Sequence, residues 1–149
     1  TDVMASFISP TVSGVTVYGS STAEGATSGM GLKYSNGPIT AIYQSWTEGT
    51  SDNTLLAVNF TMAGATIGFS TGDDDAAGTK TESSAMGVKY AVNDALNVYY
   101  TSGKDTKAAK TASAIGGYYT IAPGLQAAFE SMDDGSNDTT TYAHLKVSF

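Results

Sequence analysis

The sequence of 149 residues lacks cysteine altogether and is poor in charge. Without cysteine there is no disulfide framework and no thiol chemistry. Charged residues make up 14% of the chain, well below the ~25% of soluble domains. Lys and Arg number 7 against 14 Asp and Glu, a net charge of −7, which argues against nucleic-acid binding because that needs a basic face.

Long apolar runs are missing as well. No segment approaches the ~18 consecutive apolar residues of a membrane helix, and no secretory signal peptide opens the chain. Thr1 already begins a strand-like segment, so we expect the chain to be processed or to be a piece of something longer. Hydrophobic residues nevertheless make up 41% of the chain, with 17 Gly and 9 Tyr, so a disordered acidic chain is not expected.

What the sequence has instead is an alternation of apolar and polar residues with a period of two. Toward its end, Ala143, Leu145, Val147 and Phe149 alternate with polar residues, which is typical of a β-strand with one apolar and one polar face. Most such segments are close to the ~9–11 residues that a tilted strand needs to cross a bilayer. We predict about eleven strands, at residues 2–9, 12–20, 28–36, 38–46, 53–62, 65–71, 83–92, 95–102, 112–121, 125–132 and 139–149.

The predicted connections alternate in length. Short turns with Gly, Pro, Asn or Asp, as tight hairpins require, fall at residues 10–11, 37, 63–64, 93–94 and 122–124. Longer connections hold most of the acidic residues and fall at 21–27, 47–52, 72–82, 103–111 and 133–138. Short turns on one rim and long loops on the other are typical of outer-membrane barrels. The prediction is therefore an all-β, antiparallel, up-and-down transmembrane barrel wall, with a soluble sandwich as the alternative.

Strand parity assigns the two faces. The lipid-facing candidates include Leu56, Val58, Phe60 and Met62 on one strand and Met86, Val88, Tyr90 and Val92 on another. The opposite parity predicts a water-filled lumen, whose pore-lining candidates are Lys33, Gln44, Asn59, Lys89, Glu130, His144 and Lys146. Two aromatic girdles are expected at the membrane interfaces, one of Tyr34, Tyr90, Tyr119 and Phe149, the other of Phe69, Tyr100 and Phe129.

Three lysines that the alternation places on the lumen side are expected to lie at one height. Lys33, Lys89 and Lys146 each precede the short-turn end of a strand by about three residues, which is roughly 10 Å at ~3.3 Å per residue. A basic belt in a water-filled lumen biases ion permeation. The alternative is that these lysines only keep the lumen hydrated.

Several motifs resemble the general diffusion porins of Gram-negative outer membranes, especially the compact alphaproteobacterial type. Residues 6–15 (SFISPTVSGV) look like the family's SP–SG hairpin, and 31–34 (GLKY) and 87–90 (GVKY) are similar to its strands. Residues 145–149 (LKVSF) look like the terminal strand, in which Phe149 would be the signal read by the barrel-assembly machinery. The resemblance covers essentially the whole chain.

The resemblance also implies that something is missing. Family members have sixteen strands and about twice this length, so the chain corresponds to strands six to sixteen and forms one barrel segment over residues 1–149. The first five strands and the constriction loop are absent, and with them most of the trimer contacts and the basic cluster of the constriction. Further implied partners are outer-membrane lipid and lipopolysaccharide and two further copies in a homotrimer. No constriction residue can be transferred to this sequence.

Other candidates for chemistry are few. Asp73, Asp74 and Asp75 have the carboxylates that Ca²⁺ prefers, but not the spacing of a calcium loop, so a solvated external loop is the favoured interpretation. His144 is the only His, and no Ser/His/Asp arrangement can be assembled on it. We therefore predict no enzyme activity and no cofactor.

These observations predict an outer-membrane porin, a passive diffusion channel for small hydrophilic solutes and ions. The first alternative is a small outer-membrane barrel with an adhesive or structural role and no conducting pore. A soluble β-rich adhesin or surface-layer domain would need no lipid face. A barrel enzyme of the phospholipase type is disfavoured because no Ser/His pair is evident.

Overall fold

Eleven antiparallel strands form a single sheet in the computed structural model, which describes residues 4–24, 26–76, 78–106, 109–136 and 138–148. In this part of the chain each strand pairs with the one before it and the one after it, in the order β1 to β11. The strands are β1 (Met4–Ile8), β2 (Val15–Thr22), β3 (Thr27–Asn36), β4 (Ile39–Glu48), β5 (Ser51–Met62), β6 (Ala65–Ala76), β7 (Thr79–Ala91), β8 (Leu96–Asp105), β9 (Lys110–Ala122), β10 (Leu125–Asp133) and β11 (Thr139–Val147). The predicted up-and-down antiparallel fold is confirmed.

No helix in the described ranges is long and apolar enough to cross a membrane.

Short turns close one end of the sheet, which we call the turn end, except that the β1–β2 connection takes residues 9–14 rather than the predicted 10–11. At the β5–β6 turn, Met62 lies opposite Ala65, and the two residues between them, Ala63 and Gly64, have φ values of 48° and 80°. Two successive positive φ values define the type I′ turn, whose twist matches that of the flanking strands. Glycine adopts this conformation without steric cost.

At the opposite end, which we call the loop end, two of the five predicted loops, 47–52 and 72–82, are largely strand, whereas the predicted loop 133–138 separates the end of β10 from the start of β11. Residues 72–82 were expected to form a loop, but β6 continues to Ala76 and β7 begins at Thr79. Residues 47–52 likewise lie mostly in strand, since β4 ends at Glu48 and β5 begins at Ser51. The chain at the loop end therefore extends as paired hairpins rather than as long irregular loops.

The sheet has one layer. No hydrophobic residue in the described ranges is buried, and Ile67, Phe69 and Met86 each remain 50% exposed. A sandwich would cover one face with a second sheet and bury its side chains at native packing density. The alternative of a soluble sandwich is therefore excluded for the described residues.

The sheet is also open. β1 pairs on one side with β2, and β11 pairs on one side with β10. Within the described residues β1 and β11 do not pair with each other, as expected for one segment of a larger barrel.

Candidate functional site

The register places every predicted pore-lining residue on one face of the sheet, which we call the polar face. Opposed residues of paired strands point to the same side, so the faces can be followed from strand to strand. Lys33 is opposite Ile42, which lies two residues from Gln44, and Asn59 is opposite Thr40. Lys89, Glu130, His144 and Lys146 connect to the same face through the pairings of β6 to β11.

The other face, which we call the apolar face, holds the predicted lipid-facing residues. Val58 is opposite Phe69, Phe69 is opposite Met86, and Val88 is opposite Tyr100. The predicted girdle residues share this face, namely Tyr34, Tyr90, Tyr119, Phe69, Tyr100 and Phe129. Phe149, proposed both for a girdle and as an assembly signal, lies outside the described residues.

One row of the polar face crosses five strands. Lys89 is opposite Tyr99, Tyr99 is opposite Gly116, and Gly116 is opposite Glu130. Tyr142 follows on β11, opposite Glu130. The row brings a cation, an anion and two phenols onto one line perpendicular to the strands, although they are far apart in sequence.

Tyr99 lies flat on this face. A Cβ atom added to Gly116 would stand 2.6 Å from the Tyr99 hydroxyl oxygen and 2.6 Å from the Phe129 carbonyl oxygen. The absence of a side chain at Gly116 thus makes room for the ring, and Gly116 is buried beneath it. The Tyr99 hydroxyl donates a hydrogen bond to Glu130 Oε2 at 2.5 Å, so Glu130 is held against the wall by a charge-assisted bond.

Lys89 is held by a second tyrosine. Its Nζ lies 5.2 Å from the centre of the Tyr118 ring, within the distance of a cation–π interaction. Tyr118 is opposite Asn97 and Ala128, and Ala128 is opposite His144. His144 therefore lies in the row next to Lys89 and Glu130, as an exposed wall residue.

The three predicted belt lysines all lie close to the turn end. Lys33 precedes the end of β3 by three residues, Lys89 the end of β7 by two, and Lys146 the end of β11 by one. All three are exposed. In the part of the chain that the structure describes, none of them forms an ion pair, and the ion pairs present join Lys80 to Asp73 and Glu82.

The three aspartates considered for divalent ions do not converge. Asp73 and Asp75 lie on the apolar face, opposite Thr54 and Asp52, whereas Asp74 points to the polar face, opposite Asn53. Asp73 pairs with Lys80 at 3.6 Å, and Asp75 Oδ1 accepts a hydrogen bond from the Gly78 amide. The described residues contain no group of three or more His, Cys, Asp or Glu suited to a metal ion.

Sequence reasoning missed Tyr99 and Tyr118 as residues of the polar face. Each belongs to a Tyr-Tyr pair, Tyr99-Tyr100 and Tyr118-Tyr119, and the alternation of a strand sends the two members to opposite faces. The alternation along each strand would by itself have placed the first member of each pair among the polar-face candidates. The contacts to Glu130 and Lys89 depend on strand register and are visible only in the structure.

No protein-family model matches the sequence, and no curated protein matches it. Among solved structures, an engineered mutant of the Rhodopseudomonas blastica porin superposes with a TM-score of 0.78 at 18% identity and covers 98% of this chain and 55% of the porin. A second mutant of that porin gives a TM-score of 0.75 at 19% identity, over 93% of this chain and 52% of the porin.

A further structure, described under the words "asymmetric conductivity of engineered proteins", matches with a TM-score of 0.78 at 18% identity, over 98% of this chain and 55% of the other. The chain thus spans about half the length of each of these three structures. At this level of identity the likeness concerns the fold: the eleven strands have the architecture of part of a porin barrel wall.

Proposed function

We propose that the chain is part of an outer-membrane porin and forms one wall of a passive diffusion channel for small hydrophilic solutes and ions. The observation that carries this proposal is that β2 to β11 form a single open layer with one mainly apolar and one mainly polar face. Such a layer is stable where lipid covers one side and water the other. The porin-like architecture supports the same conclusion.

In this channel, solutes pass along the polar face by diffusion, and width and wall charge decide which of them pass. Lys33, Lys89 and Lys146 contribute positive charge, while Glu130 contributes a fixed negative charge. Gln44, Asn59 and His144 keep the wall hydrated. No bond is made or broken, so no general acid, base or nucleophile is needed.

Further strands complete the barrel. In hydrocarbon, the unpaired N–H and C=O groups on the outer edges of β1 and β11 would each cost several kcal/mol. Both edges are therefore proposed to pair with additional antiparallel strands. We also infer assembly as a homotrimer, insertion by the barrel-assembly machinery with Phe149 as its signal, and contact with outer-membrane lipid and lipopolysaccharide.

Spin labels on two neighbouring residues test whether one face of the sheet meets lipid and the other water. Val58 lies on the apolar face and Asn59 on the polar face of β5. In the complete gene product reconstituted in vesicles, a spin label at Val58 should respond mainly to oxygen, which partitions into lipid, and a label at Asn59 mainly to a water-soluble nickel chelate. Equal responses would overturn the membrane assignment.

A conductance measurement separates the porin from a non-conducting barrel. The complete gene product in a planar bilayer should give stepwise, ohmic current increases. Correct label responses at Val58 and Asn59 together with the absence of any current would favour the adhesive or structural barrel instead.

A further inference from the structure

A hollow lies on the polar face between β2 and β4. The strand between them, β3, has glycine at two successive positions of that face, Gly29 and Gly31, so no side chain of β3 fills the space. We call this space, which has a volume of about 210 Å³, the glycine hollow. The polar-face side chains around it come from the two flanking strands and are Tyr18, Ser20, Gln44 and Trp46.

Two aromatic side chains border the glycine hollow. Trp46 is opposite Gly29, where an added Cβ atom would stand 3.0 Å from the Trp46 Cβ. Tyr18 lies flat over Gly31, since a Cβ atom added there would stand 2.6 Å from the Tyr18 hydroxyl oxygen, and Gly31 is buried beneath the ring. Both aromatic side chains are themselves half-buried. The hollow is therefore a space between an indole and a phenol with peptide backbone as its floor.

The polar groups around the hollow are not used inside the protein. Within the described residues, the Trp46 indole N–H, the Gln44 amide and the Tyr18 hydroxyl form no hydrogen bond. On the same face, by contrast, the Tyr99 hydroxyl donates to Glu130. The N–H of Trp and the O–H of Tyr find hydrogen-bond partners when they are taken out of water. A solute that enters the hollow must therefore offer donors and acceptors of its own.

The charges around the hollow balance. Glu48 lies on the polar face two residues from Trp46 toward the loop end, and Lys33 lies on that face two residues from Gly31 toward the turn end. One charge of each sign at the two ends favours a neutral solute over an ion. Sugars are neutral, their hydroxyls both donate to and accept from amide and hydroxyl groups, and their C–H bonds suit the negative face of an aromatic ring.

We propose that the glycine hollow binds one pyranose ring of a neutral sugar. The proposal rests on the proposed function, because it requires the polar face to meet water. The volume of about 210 Å³ lies below the ~300–1,000 Å³ of sites for drug-sized ligands and equals that of about seven waters at ~30 Å³ each. The site therefore takes one ring rather than a larger solute.

A second hollow adjoins the first across Trp46. It has a volume of about 280 Å³ and is lined by Asn53 and Asp74, which follow Trp46 in the same row of the polar face. The Asn53 amide and the Asp74 carboxylate can accept hydrogen bonds from sugar hydroxyls. Because a further ring has room on the other side of the indole, a short oligosaccharide should bind more tightly than a single sugar.

Block of the ion current by sugar tests the site in the complete gene product in a planar bilayer. Maltotriose should reduce the current saturably, and glucose should need a several-fold higher concentration. Trp46→Leu should raise the half-saturating maltotriose concentration at least tenfold and Gln44→Leu several-fold, whereas Trp46→Phe, which keeps a ring, should raise it less. Tyr142→Leu is the matched control, because Tyr142 is an exposed aromatic residue of the polar face on β11. An unchanged current without sugar shows that each variant is folded.

The outcomes separate the two proposals. A current that maltotriose leaves unchanged, or reduces equally in the parent and in Trp46→Leu, would overturn the sugar site and leave the porin proposal standing. Block by tetramethylammonium but not by maltotriose would also overturn it, in favour of a cation held on the indole. Saturation-transfer NMR on the detergent-solubilised protein detects maltotriose without any current. Binding that Trp46→Leu abolishes, in a protein that does not conduct, would support the sugar site and overturn the channel.

Discussion

On the apolar face the same order of residue types repeats on each hairpin, whereas the polar face shows no such repeat. The apolar face runs from aliphatic and aromatic side chains to directly opposed hydroxyl residues toward the loop end. The polar face instead carries contacts that are specific to single positions, such as those of Tyr99 with Glu130 and of Tyr118 with Lys89.

The difference reflects the two solvents proposed for the faces. Lipid is uniform around a barrel, so each hairpin meets the same sequence of hydrocarbon, interface and water and carries the same residue types at the same depth. Solutes and ions meet individual side chains, so position matters on the polar face. Substitutions at corresponding places on the two faces should therefore have effects that differ in magnitude and in the property they change.

The largest difference is expected for a charge placed near the middle of the sheet. Val98 lies on the apolar face and Asn97, its neighbour, on the polar face. Val98→Arg should lower the free energy of unfolding by about 2–4 kcal/mol, because the guanidinium would lie in hydrocarbon. Asn97→Arg is the matched control and should have little effect. Urea unfolding in vesicles measures both, and equal losses would mean that the two faces do not meet different solvents.

A smaller steric effect is expected on the polar face itself. A Cβ atom at Gly116 would meet the Phe129 carbonyl oxygen and the Tyr99 hydroxyl at 2.6 Å each, whereas at Gly103 the nearest atom, the Ser84 carbonyl oxygen, is 3.6 Å away. Gly116→Ala should cost about 1–3 kcal/mol of stability, as overpacking does. Gly103→Ala should be neutral or slightly stabilising, since glycine weakens a strand interior. If both variants unfold at the same denaturant concentration, Tyr99 does not pack over Gly116.

The sequence was sufficient to predict which residues share a face of the sheet, but not where the strands end. A two-residue period predicts which side chains share a face, and the pairings place Lys89 and Val88 as expected. At residues 72–82 that period disappears, and a loop was predicted where β6 and β7 continue. In this stretch both faces carry polar or charged residues, so the strands remain paired but no longer alternate in polarity.

The contacts on the polar face could be predicted only from the register between strands. Tyr99 and Glu130 are far apart in the chain and are brought together by two strand pairings across Gly116. A one-residue slip at either pairing would reverse the faces, and periodicity within a single strand contains no information about the offset between strands.

An intermediate effect concerns permeation rather than stability. Replacing Lys33, Lys89 and Lys146 together by Glu in the complete gene product should raise the permeability of cations relative to anions several-fold. The change should be larger at low salt, because screening shortens the reach of wall charges. Reversal potentials in a salt gradient measure it. Lys80→Glu, on the apolar face near the loop end, should leave the potential unchanged, and a triple variant with the parent potential would mean that the lysines only hydrate the wall.

The smallest expected effect concerns the contact that fixes Lys89. Tyr118→Leu removes the ring beneath the ammonium group and should lower the free energy of unfolding by about 0.5–1 kcal/mol, the value of an exposed cation–π interaction. Tyr142→Leu is the matched control on the same face, because Tyr142 is exposed and lies opposite Glu130 rather than beside Lys89. A double-mutant cycle with Lys89→Met isolates the pair from the packing of the ring. We expect a coupling energy for Lys89 with Tyr118 and none for Lys89 with Tyr142; equal coupling in the two cycles would show that Lys89 is not held by Tyr118.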